Sequence, residues 1–131
     1  RIFEAQKPFL DKQLQLYFET AQVVGKLVTL EPKSGEWLDS AQRYRALYWS
    51  ELSMVEHELV EVAMVRFGSV LDSFEKTGQF KQELQFRSYC LAHAIRDAIQ
   101  VTWTLELGPS EMPKAVTAPE DSSCAREPVT K

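Results

Sequence analysis

His57 and Glu61, and His93 and Asp97, are each four residues apart, so each pair shares a face of any helix that carries it. Cys90 stands three residues before His93. Imidazole, thiolate and carboxylate are the side chains that bind zinc and related ions. A metal-binding sensor or a metal-dependent enzyme would therefore rest on His57, Glu61, Cys90, His93 and Asp97. The pattern is incomplete. A di-metal bundle uses Glu-x-x-His, whereas Met54 stands three before His57 and Cys90 three before His93. No second Cys/His pair sits at a zinc spacing. The plainer reading is two exposed helical pairs, each worth about 0–1 kcal/mol. No metal and no cofactor is assigned.

Other chemistry finds less support. Ser50, Ser53 and Ser69 have no elbow or Gly-rich turn around them, and no phosphate-cradling glycine motif occurs. No residue is assigned a catalytic role. More unusual are charges on an apolar face. If residues 36–77 form one helix, Arg45, Glu56 and Arg66 fall inside its apolar arc, and Arg87 stands between Leu84 and Leu91 in the next segment. Their stems could cover the core while their heads reach water. The sharper expectation is a buried ion network of Arg45, Glu56, Arg66 and Arg87, with Arg87 the preferred partner of Glu56. Glu51, Glu58 and Glu61 are then solvated. Trp49 stands at the border of the main apolar stripe, and Leu47, Met54 and Val65 make a second, narrower one; these four residues are the expected interface for a partner helix.

These residues need helices to position them. Leu10, Leu14, Tyr17, Ala21, Val24 and Val28 recur at steps of three and four after Pro8, which opens the first helix. Gly25 within it suggests that another helix passes close. The turn sequence Glu31-Pro32-Lys33-Ser34-Gly35 ends the pattern. Residues 36–77 contain no proline and would span about 60 Å as one helix, with a break near Ser50 or Gly68 left open. Gly78 closes that segment, and a third runs from Phe80 to Leu107. Residues 108–131 hold four prolines and no aromatic residue. They read as a flexible, disordered Pro/Ser-rich tail. The expected fold is all-α: a three-helix antiparallel bundle over residues 1–107 with a long middle helix.

Composition bounds the partners. A net charge of −4 and a pI near 5.2 lack the basic footprint of a nucleic-acid binder. No run of 18 apolar residues exists to cross a membrane. Two cysteines, Cys90 in a helical pattern and Cys124 in the tail, are too few for a disulfide framework and point to a reducing compartment, hence the cytoplasm.

The strings KPFLDKQLQLYFE (7–19), ALYWSELSMVEHELVEVAM (46–64) and LAHAIRDAIQ (91–100) carry a resemblance over roughly residues 1–105. There the chain resembles small uncharacterised bacterial helical proteins in which a short apolar segment precedes such a region. The resemblance brings no activity and no catalytic residues. It implies a membrane only through an anchor upstream of Arg1, with this domain in the cytoplasm. The expected function is a non-enzymatic interaction or structural module that self-associates through the second helix, its partner a second copy or another helical protein. The alternative is the metal reading above.

Overall fold

Residues 2–107 and 122–131 are described by a computed structural model, and all regular structure among them is helical. Four helices pack together: α1 (Ile2–Thr29), α2 (Gly35–Ala46), α3 (Glu58–Thr77) and α4 (Lys81–Leu107). No helix among the described residues is long and apolar enough to cross a membrane. α1 starts upstream of Pro8 and runs through it, so the proline does not open the helix. Its buried face is Leu10, Gln13, Leu16, Tyr17, Thr20, Val23, Val24 and Leu27. That face is rotated from the expected stripe; Ala21 is exposed and Leu14 only half-buried. The rotation follows from two buried polar residues that an apolar count skips. Gln13 donates to the Val55 carbonyl at 2.6 Å, and Thr20 back-bonds to Leu16 at 2.7 Å. Gly25 faces a cleft shared with Ser88 and Ala92 of α4, and a Cβ there would meet nothing within 4 Å, so no close approach requires the glycine.

Ser34 caps α2 by accepting from the Trp37 N–H, and the buried Trp37 indole donates to the Leu27 carbonyl at 3.0 Å. α2 is thereby pinned to the end of α1. The expected long middle helix is in fact two helices, so the bundle has four helices and not three. After Ala46 the chain winds into a π turn (Leu47–Glu51), then a single 3₁₀ turn (Leu52–Met54), and reaches an extended His57. Ser50 and Ser53 draw carbonyls of the preceding turn onto their hydroxyls, which loosens the α ladder. His57 then starts α3, its Nδ1 accepting from the Leu59 N–H at 3.1 Å.

The break is satisfied from outside. Gln13 takes the Val55 carbonyl, and the Tyr17 hydroxyl accepts from the His57 N–H at 2.9 Å. Leu47 and Leu52, both fully buried, anchor its inner side. Gly68 is not a breaker. It lies within α3 where Tyr44 of α2 packs, and a Cβ there would stand 3.2 Å from the Tyr44 hydroxyl. That hydroxyl donates to the Met64 carbonyl at 2.6 Å. Gly78, with φ 71°, ends α3 and turns the chain into α4. Val60, Met64, Phe67 and Leu71 of α3 meet Leu84, Leu91, Ile95 and Ala98 of α4 in the core.

Against the expectation of a flexible tail from residue 108, residues 122–131 lie against α3 and α4 through a covalent bond and several hydrogen bonds. Residues 108–121 lie outside the described residues.

Tyr17→Phe removes the acceptor of the His57 N–H and should cost about 1–2 kcal/mol in urea unfolding. Tyr48→Phe, in the same region, should cost almost nothing. Equal effects would show that the Tyr17 hydroxyl does not hold the break.

Candidate functional site

Position 87 falls on the buried face of α4 between Leu84 and Leu91, so the Arg87 side chain is carried inward and is 1 % exposed. A buried guanidinium needs partners on every side. Its Nε donates to Glu83 one turn earlier at 3.1 Å, its Nη1 to the Cys124 carbonyl at 2.9 Å, and its Nη2 to the Arg126 carbonyl at 2.8 Å. Arg66 of α3 reaches the same place. Its Nη1 donates to the Cys124 carbonyl at 2.9 Å and its Nη2 to that of Ala125 at 3.3 Å. Two guanidiniums therefore converge on one carbonyl oxygen.

Cys124 is also joined to α4 covalently. It forms a disulfide with Cys90, with Cα atoms 5.8 Å apart, a normal span for such a bond. The two cysteines, expected to be too few for a disulfide framework, are thus paired with each other. Two cysteines suffice when a single segment is to be tied down, and the returning segment is held by carbonyl contacts that composition does not reveal.

Glu83 completes the clasp. Its carboxylate accepts from Arg87, from both terminal nitrogens of Arg126 at 2.9 and 3.1 Å, and from the Val129 N–H at 3.0 Å. Burial pushes this carboxyl up, but the hydrogen bonds from Arg126, the Val129 N–H and Arg87 outweigh it and hold it at about 2. Arg126 and Arg87 both lie against the Phe86 ring, at 5.1 and 5.3 Å from its centre. Glu83, Cys124 and Arg126 were not anticipated as partners. The available signal was the spacing of four between Glu83 and Arg87, with the arginine on an apolar face.

The expected four-residue ion network does not form as one unit. Arg66 and Arg87 meet, but over backbone carbonyls. Arg45 pairs with Asp72 at 3.0 Å and with Glu75, on the other side of α3. Glu56 has no ion-pair partner among the described residues. Desolvation by burial pushes its carboxyl up to about 7, with Glu61 adding to the effect. The wheel that placed Glu56 beside the arginines assumed a continuous helix, and the break at 47–57 invalidates it. Glu51, expected to be solvated, accepts from Arg43 at 2.6 Å, and Arg43 also binds Glu19, tying the break to α1.

The five candidate metal ligands do not converge. His57 caps α3, Cys90 is in the disulfide, His93 packs on the Tyr89 ring at 4.0 Å, Asp97 pairs with Arg96 at 3.2 Å, and Glu61 is exposed. Among the described residues, no group of three His, Cys, Asp or Glu is placed to hold an ion. The expected interface residues also divide. Leu47 is fully buried, because the π turn swings it into the core, while Trp49, Met54 and Val65 are exposed. Trp49 and Val65 border a cleft of about 290 Å³ with Tyr48, Gly68 and Asp72.

A larger groove of about 370 Å³ runs between α3, α4 and the C-terminal segment. Arg66, Arg87, Cys90 and Cys124 line one end, and Leu59, Val62, Ala63 and Ala94 form apolar walls. Glu58, His93, Arg96 and Asp97 edge the other end.

Glu56 gives the site region a pH signature. A carboxyl held at about 7, above its ordinary 4.5, binds its proton more tightly in the folded chain. Its contribution is present below the ordinary value and is lost as pH rises through about 7. Glu56→Gln should therefore stabilise the protein at pH 8 by roughly 1–3 kcal/mol and leave it unchanged at pH 4. A gain independent of pH would show that Glu56 does not titrate abnormally.

Compared with protein-family models, curated proteins and solved structures, the chain matches none.

Proposed function

We propose that this domain is a non-catalytic interaction module that self-associates through the surface bearing Trp49, Met54 and Val65. The observation that carries the reading is the exposure of two large side chains on one short irregular ridge. Trp49 and Met54 are 78 % and 82 % exposed, more than any other large apolar residue described. The ridge is held in place by Leu47 and Leu52 below and by Gln13 and Tyr17 beside it. Trp offers a large contact area at small entropic cost, and Met adapts to an irregular partner surface.

The cleft beside Trp49 supports a second copy as the partner. A projecting indole next to a cleft edged by Tyr48, Val65 and Gly68 is a knob beside a hole, and a two-fold axis can place each knob in the other copy's hole. Arg45 and Asp72, paired at the same cleft, supply a polar rim. The Cys90–Cys124 disulfide supports an oxidising compartment in place of the expected cytoplasm. Cys90 in that bond and His57 at a helix cap favour the interaction reading over the metal one.

Sedimentation over a range of concentrations should show the mass rising from that of one 15.0 kDa chain toward two. Trp49→Ser combined with Met54→Glu should hold the protein monomeric with its melting temperature unchanged within a few degrees. Leu47→Glu, by contrast, should unfold it. A monomer at every concentration, or a double variant that associates like the parent, would contradict the proposal.

A further inference from the structure

We infer that the groove between α3, α4 and the C-terminal segment is a binding site for a small amphipathic carboxylate, its head at Arg66 and its alkyl body along Leu59 and Val62. The charges around the groove decide the head group. Arg87 shares the Glu83 carboxylate with Arg126, and Arg96 is paired with Asp97. Arg66 donates only to the backbone carbonyls of Cys124 and Ala125 and has no carboxylate partner among the described residues. Carbonyls satisfy hydrogen bonds without cancelling charge, so the Arg66 guanidinium keeps its positive charge at the inner end of the groove. A guanidinium carries five N–H donors in a planar fork. Arg66 commits two of its nitrogens to carbonyls, and the donors left over suit a carboxylate.

The walls decide the body. Leu59, Val62 and Arg66 follow one another at steps of three and four, and so form a stripe along α3. Across from them Ala94 of α4, and Ala63 beside them, are too small to fill the space. Leu59 and Val62 are each exposed although they border the groove. A ligand that covered them would bury apolar area now in water. Glu58, at the far lip, stands eight residues from Arg66, about 12 Å along the helix. That spacing keeps its negative charge from the head group and sets the reach of the body at roughly eight carbons. The groove volume of about 370 Å³ falls within the range of small-molecule sites.

The test is a titration of the oxidised full chain with octanoate, 1-octanol and acetate, followed by the methyl resonances of Leu59, Val62 and Ala94. Octanoate should saturate one site and shift those three residues. Octanol, lacking the charge, and acetate, lacking the body, should each bind more weakly by ~tenfold or more. Arg66→Gln should weaken octanoate ~tenfold and leave octanol unchanged. Arg66→Gln could also loosen the C-terminal segment, so Val62→Glu serves as a second variant at an exposed wall position and should weaken octanoate at least as much. Trp49→Ser should have no effect on it. Octanol binding as tightly as octanoate, octanoate binding unchanged in Arg66→Gln or Val62→Glu, shifts confined to other residues, or no saturable binding would each overturn the assignment.

Discussion

Arg87 is the constraint on which the second half of the molecule turns. Placing a guanidinium at 1 % exposure is tolerable only if its donors are met, because a buried unpaired charge costs several kcal/mol. α4 itself supplies one partner, Glu83. Its two terminal nitrogens donate to the carbonyls of Cys124 and Arg126, so the C-terminal segment is a structural necessity and not an appendage. Glu83 then binds Arg126 and the Val129 N–H of the same segment, and its ionised form is stabilised by the cations it pairs with. The disulfide at Cys90, one turn beyond Arg87, locks the register of these contacts. Cys124 and Ala125 of the returning segment complete the groove beside Arg66.

The first half is organised by a different device that obeys the same rule. Breaking a helix at Leu47–His57 frees backbone groups that water cannot reach equally well on the inner side. Gln13 and Tyr17 of α1 meet two of them, which explains why a glutamine occupies the buried face of an otherwise apolar helix. Arg43, held between Glu19 and Glu51, fixes the outer side of the same junction. The break projects Trp49 and Met54 from a firm base, whereas an unbroken helix would have spread the exposed apolar residues along its length.

The helical class was legible because apolar residues recur at steps of three and four, and because Gly35 and Gly78 mark turns where such steps stop. The inward direction of Arg87 was also legible, since Leu84 and Leu91 flank it at helical spacing. Its partners were not. A helical wheel drawn through 36–77 placed Glu56 near the arginines and Leu47 on an outer stripe, and both placements fail once the π turn changes the winding. Serine hydroxyls that loosen a helix look the same in sequence as serines that merely face water, so Ser50 could not be told from Gly68 as the breaking point. Gly68 was instead required by the close approach of Tyr44. The return of residues 122–131 depends on contacts to positions 37 to 59 residues away, through backbone carbonyls that any sequence possesses. A polar, proline-containing composition conceals such a clasp.

The most direct measurement of the clasp is amide hydrogen exchange at Val129, whose N–H is held by the Glu83 carboxylate. Slow exchange in the oxidised protein, lost in Glu83→Gln while the amides of the α3 core stay protected, is the predicted result. Exchange at the rate of an unstructured chain in the parent protein would contradict the account, because the segment on which Arg87 depends would then not be in place.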